Sequence, residues 1–143
     1  MVLASRTGVR LELTPATRPH DYGAHMPTWL VRLAGPGLDA SLLCPEAGWE
    51  PQLLAEFFEG LDHDWRGWDG ERTWQSEEAE LRLVATHDKT NTVLVSAVLE
   101  DGAPPRWSCR VQLEVDPGVF RQLAVEARRL GDISVNLSRS ATD

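Results

Sequence analysis

Trp107-Ser108-Cys109-Arg110-Val111-Gln112-Leu113-Glu114-Val115 is the stretch on which the fold turns. Trp107, Cys109, Val111, Leu113 and Val115 fall on one side of an extended chain. Arg106, Ser108, Arg110, Gln112 and Glu114 fall on the other. Strict alternation of this kind is the period of a β-strand. A strand with one apolar and one polar face belongs to an antiparallel sheet that covers a core on one side and meets water on the other.

Two further alternations lie upstream. Leu81, Leu83 and Ala85 are separated by Arg82 and preceded by Glu80, and Val93, Val95, Ala97 and Leu99 make the next strand. The polar turn His87 to Asn91 and the Asp101-Gly102 turn, with Pro104 and Pro105, connect them. Turns this short join antiparallel neighbours. Downstream, Asp116-Pro117 predicts a helix start, with Asp116 as N-cap and Pro117 as first helical residue. Phe120, Leu123, Ala124, Ala127 and Leu130 form the helix's apolar stripe, and Gly131 is the expected C-cap. Ile133, Val135 and Leu137 predict a short last strand, and residues 138–143 a tail.

Nearer the start, Val9, Leu11 and Leu13 alternate with Arg10, Glu12 and Thr14 as a half-buried strand. Pro15, Pro19, Gly23 and Pro27 mark Thr14 to Pro27 as a long loop. Trp29, Val31 and Leu33 then pair across Gly35-Pro36-Gly37 with Leu38 to Leu43 as a hairpin. Glu50-Pro51 opens a helix. Leu54, Phe58, Leu61, Trp65 and Trp68 recur at helical spacing along it, widened by Leu53 and Phe57. Gly67 and Gly70 are the expected terminators. The expected architecture is α+β: a single domain over residues 1–143, with a curved antiparallel sheet of about six strands and two helices packed on one face.

Composition narrows the function classes. At 143 residues and 42% hydrophobic, the chain can build a core without staples. No apolar run approaches the roughly 18 residues of a membrane span, and Met1 to Arg10 lacks a signal peptide's apolar stretch. A cytoplasmic protein is the expectation. Cys44 and Cys109 are expected as free thiols. A net charge of −8 argues against nucleic acid or an anionic membrane as partner, and suits a basic protein.

The densest chemistry is Trp65-Arg66-Gly67-Trp68-Asp69-Gly70-Glu71-Arg72-Thr73-Trp74. Trp65 and Trp68 continue the helix's buried stripe and are expected in the core, with Trp74 the one to reach the surface. Tryptophan and arginine also anchor interfaces, so Arg66, Trp68 and Trp74 are the candidate binding residues. Asp62-His63-Asp64 lies on adjacent helical positions that point apart, and His63 is expected to be solvated. His20, His25 and His87 have neither HExxH spacing nor a CxxC companion, so neither a metal nor another cofactor is expected. Cys109 lies on a core face, and Cys44 has no evident base. No GxSxG elbow, phosphate loop or GxGxxG is present, and no catalytic residue is nominated.

Phe57-Phe58-Glu59-Gly60-Leu61, then Trp65-Arg66-Gly67-Trp68-Asp69-Gly70, then Trp74, Ser76 and Glu78, then Leu81-Arg82-Leu83 and Ala85-Thr86-His87-Asp88, resemble an uncharacterised family of small bacterial, mainly actinobacterial, proteins. That family is a domain of unknown function carrying a WRGWxGxxxW motif, and it brings no catalytic residues to transfer. The layout is similar, more loosely, to the immunity proteins of bacterial toxin systems, which are compact, often acidic and cap a toxin. The function expected is therefore a non-catalytic protein-binding module, immunity-like in the sharper version. The rival is a small-molecule-binding protein or enzyme with a cleft near the 14–27 loop, using His20, His25 or His87. A homodimer through an edge strand is the third possibility.

Overall fold

The computed structural model describes residues 1–19, 25–45 and 51–142, with side chains over 1–16, 28–44 and 53–132. His20, Asp21, Gly23 and Glu50 lie outside the described residues, as do the side chains of His25 and Ile133. The chain runs β1 (Val2–Ala4), β2 (Arg10–Pro19), β3 (His25–Gly35), β4 (Leu38–Pro45), α1 (Pro51–His63), β5 (Arg72–Gln75), β6 (Leu81–His87), β7 (Val93–Asp101), β8 (Trp107–Val115), a 3-10 turn (Pro117–Val119) and α2 (Phe120–Thr142). Four strands precede each helix. They form two antiparallel sheets, β1-β2-β3-β4 and β5-β6-β7-β8, each in sequence order.

Two sheets of four replace the single sheet of about six. The unforeseen strands are β1 and β5, of three and four residues, too short to display an alternation. The sheets meet where β1 ends beside β8. The Arg6 N–H donates to the Glu114 carbonyl at 3.0 Å, and the Glu114 N–H donates to Ser5 Oγ at 3.0 Å.

Register places the apolar residues on shared faces. Leu3, Leu11 and Leu33 lie abreast in the first sheet, and Ala85, Val95 and Leu113 in the second. All six are buried in one core with Leu54, Phe58 and Leu61 of α1 and Phe120, Leu123 and Ala127 of α2. The Phe58 and Phe120 rings stack at 6.1 Å. α2 lies against β2 and β3. Glu59 pairs with Arg128 and Asp62 with Arg121, so the helices run antiparallel. The outer face of the first sheet is charged as the alternation requires: Arg32 grips Asp39 through two bonds of 2.9 and 3.0 Å, and Glu12 bridges Arg10 and Arg32.

Three expectations fail for identifiable reasons. Of the expected Thr14–Pro27 loop, the described residues 14–19 and 25–27 are instead the end of β2 and the start of β3, paired out to Pro19 and His25. Proline is tolerated on a free strand edge, where its missing N–H costs nothing. Pro15 and Pro19 lie past the last β1 partner, Glu12, and Pro27 lies past Thr28, the first β3 residue paired with β4. Gly131 does not cap α2, which runs on to Thr142 in place of the expected last strand and tail. A glycine inside a helix costs only about 1 kcal/mol, and Ile133 and Leu137, which alternate with Val135 as a strand would, also continue a helical spacing from Leu130. Finally, α1 stops at His63, before Trp65 and Trp68. Asp116 does cap as expected, its Oδ1 accepting from the Gly118 N–H at 2.8 Å.

Candidate functional site

The early stop of α1 decides what the tryptophans do. After His63 the backbone makes tight turns: the Trp65 N–H donates to the Asp62 carbonyl at 3.3 Å and the Gly67 N–H to the Asp64 carbonyl at 2.9 Å. Gly67 and Gly70 have φ of 144° and 74°, territory that glycine enters at little cost and other residues avoid. Leaving helical geometry between Trp65 and Trp68 sends the two rings in different directions. Trp65 is 53% exposed, while Trp68 is 6% exposed and belongs to the core.

Trp68 is a fastener. Its indole N–H donates to the Ala85 carbonyl on β6 at 3.4 Å. Its ring meets the His87 imidazole edge-on, centroids 5.0 Å apart, and the Arg72 guanidinium lies 5.3 Å from the ring centre. Arg72 in turn pairs with Asp64 at 2.7 Å, closing the loop onto the helix end. Lys89 pairs with Asp69 from the far side. The segment from Asp64 to Arg72 is thus closed on itself by one ion pair and held to the β6 end by a buried ring, a second ion pair and a histidine.

That histidine is the residue sequence reasoning misplaced. His87 ends β6 rather than opening a turn, and its side chain is wholly buried. Nδ1 accepts from the Lys89 N–H at 2.7 Å, and Nε2 lies 2.7 Å from the Trp65 carbonyl oxygen. A nitrogen that accepts from a backbone N–H holds its lone pair there, so the ring proton sits on Nε2 and is donated to Trp65. Both nitrogens are occupied in holding the backbone. The parity of Leu81, Leu83, Ala85 and His87 was the available signal, since all four share the core face.

Outside this clamp lies a surface corner. The Arg66 guanidinium sits 5.2 Å from the centre of the exposed Trp65 ring. Trp65 also lines a cleft of about 290 Å³ with Asp62, Gly118 and Arg121, between the end of α1 and the start of α2. Arg121 reaches Asp62 at 3.8 Å. A second hollow of about 350 Å³ opens at the β7–β8 hairpin, lined by Asp101, Arg106 and the half-buried Trp107. Among the described residues, no three His, Cys, Asp or Glu side chains converge as a metal site would require. No helix among them is long and apolar enough to cross a membrane. Cys44 and Cys109 are free thiols. Cys44 is buried, and burial, reinforced by the Glu80 carboxylate, pushes its thiol up to about 12.

A model of a family of unknown function matches residues 2–132. The chain belongs to that family, DUF6228. No curated protein and no solved structure matches it. The matched span takes in the whole clamp and the Trp65 corner. The family description carries no activity.

Against that background the expected site residues separate. Arg66 is exposed at the corner. Trp68 is inside, and Trp74 is half-buried and packed on the core rather than presented to solvent. Trp65, expected in the core, is the one of these three tryptophans that faces water. Its helical spacing from Leu61 was misleading because the helix it would have extended had already ended. His63 is exposed as expected.

Proposed function

We propose that this protein is a non-catalytic protein-binding module of the bacterial cytoplasm, immunity-like in mode, which caps a basic partner through the Trp65–Arg66 corner. One observation carries the reading: a large indole stands more than half exposed on a turn whose backbone is fixed by a buried histidine. Exposed tryptophan is costly to keep in water, and tryptophan and arginine are the side chains that most often dominate binding energy at interfaces. Because the turn is already rigid, little ordering entropy remains to be lost on association. The net charge of −8 would steer a basic partner toward the protein. Two free thiols suit a reducing compartment.

The test is affinity capture from a lysate of the source cells with the wild type and Trp65→Ala side by side. A protein retained in stoichiometric amount by the wild type and lost by the variant supports the reading. Equal retention by both, or no retained protein, refutes it.

A second reading, a small-molecule-binding protein or enzyme, draws on a different observation. Among the described residues, the Trp29 indole N–H is buried and has no hydrogen-bond partner. Trp29 lies in register with Pro15 and Cys44, near the end of the β3–β4 pairing and beside the 14–27 stretch where a ligand cleft was expected. A buried donor without an acceptor costs about 1–3 kcal/mol, which a ligand carbonyl would recover. Trp29→Phe removes that donor. The reading requires a metabolite that raises the melting temperature of the wild type and has no effect on this variant.

A further inference from the structure

We propose that the cleft between Trp65 and Asp62 is a slot for an arginine side chain of the partner, held open in the free protein by Arg121 as a loose internal substitute. The proposal rests on the reading of the Trp65 corner as the binding face and names what that face recognises.

The cleft offers an aromatic wall and a carboxylate. Trp65 supplies the first and Asp62 the second, and Gly118 lines the cleft without a side chain. A planar cation is matched by this pair, since guanidinium stacks on indole and hydrogen-bonds a carboxylate in one pose, which an ammonium does less well. The protein already uses both contacts with its own arginines: Arg66 lies over the Trp65 ring, and Arg121 points its Nε at Asp62. The second contact is poor. At 3.8 Å it is longer than a hydrogen bond, and the Arg121 side chain is 85% exposed. An exposed pair of that length is weakly held, so an incoming guanidinium displaces Arg121 at little loss. The overall acidity of the chain supplies the long-range attraction that a basic partner requires.

The experiment is a titration of the ¹⁵N-labelled full chain with the peptide acetyl-Gly-Arg-Arg-Gly-amide, following the Trp65 indole N–H signal, which Trp65→Phe identifies by its disappearance. The wild type should show a saturable shift of that signal, weakened by added salt. Arg121→Ala should bind the peptide several-fold more tightly, because the internal substitute is gone. Arg129→Ala, on the same helix about two turns further along, makes the same change in net charge and should bind as the wild type does. Asp62→Asn, checked for an unchanged melting temperature, should bind several-fold more weakly.

Equal tightening by Arg121→Ala and Arg129→Ala would reduce the effect to general electrostatics and overturn the slot. A lysine peptide binding as tightly would overturn the guanidinium assignment. If the Trp65 signal does not move while Trp65→Ala still loses its protein partner, the slot fails and the binding face stands. If Trp65→Ala keeps the partner, the binding face itself fails.

Discussion

Replacing Trp68 and Trp65 by alanine in turn should produce opposite results from chemically identical changes. Trp68 is almost entirely removed from water. A buried tryptophan contributes roughly 150–250 Å² of apolar area, about 4–6 kcal/mol at ~25 cal/mol/Å². Partial collapse of the cavity brings the expected loss to about 3–5 kcal/mol. The Arg72 contact adds about 0.5–1 kcal/mol, and the long 3.4 Å bond to Ala85 adds little. At roughly 4 °C per kcal/mol for a chain of this length, the melting temperature should fall by about 12–20 °C. Trp65 keeps its structural contribution after truncation, because what His87 holds is its backbone carbonyl and not its ring. Trp65→Ala should therefore cost under about 1 kcal/mol, mostly the lost Arg66 stacking. Urea denaturation of both variants, read by far-UV circular dichroism, gives the two numbers. Losses within about 1 kcal/mol of each other, or a larger loss for Trp65, would refute the division of the segment into fastener and anchor.

Four further outcomes follow from the same geometry. His87→Ala leaves the Trp65 carbonyl and the Lys89 N–H without their partner and should cost about 2–4 kcal/mol in chemical denaturation. Gly67→Ala, forced to φ 144° where the added Cβ meets Lys89 Cγ at 3.4 Å, should destabilise by about 1–3 kcal/mol, against about 1 kcal/mol for Gly70→Ala in open space. The Asp88 carboxyl is held below its ordinary range by the Thr90 hydroxyl and N–H and the Thr92 N–H. Its contribution is thus present above the usual carboxylate range and is lost as pH falls through the depressed value, and Asp88→Asn should flatten the acid limb of stability against pH. Cys44, pushed up to about 12, should resist alkylation at pH 8 in the folded protein and react in denaturant, with the label located by mass spectrometry.

The sequence disclosed most where one interaction dominates. The β8 alternation and the Asp116-Pro117 helix start are local patterns enforced by one buried face and one cap, and both stand as read. The antiparallel class followed from the short turns. What stayed illegible depends on neighbours. Pro15 and Pro27 look like strand breakers until it is known that their edges are unpaired. Strands of three and four residues carry no periodic signal, so β1 and β5 were invisible and the count of sheets was wrong. Gly131 has the composition of a cap but lies inside a helix. The candidate site shows the same limit. The motif's importance was legible in its density of tryptophan and glycine, but which ring faces water depends on where α1 stops. That is set by the turns at Asp64 and Gly67 and by the grip of His87, whose burial lies 22 residues away from Trp65 in the chain.

The most direct test of the central claim, that this protein binds through Trp65 and not through Trp68 or Trp74, is calorimetric titration of the captured partner with the wild type and Trp65→Ala. An anchoring tryptophan predicts a loss of about 2 kcal/mol or more, some 30-fold in Kd, with the melting temperature of the variant unchanged to within a few degrees. An unchanged Kd for Trp65→Ala would contradict it.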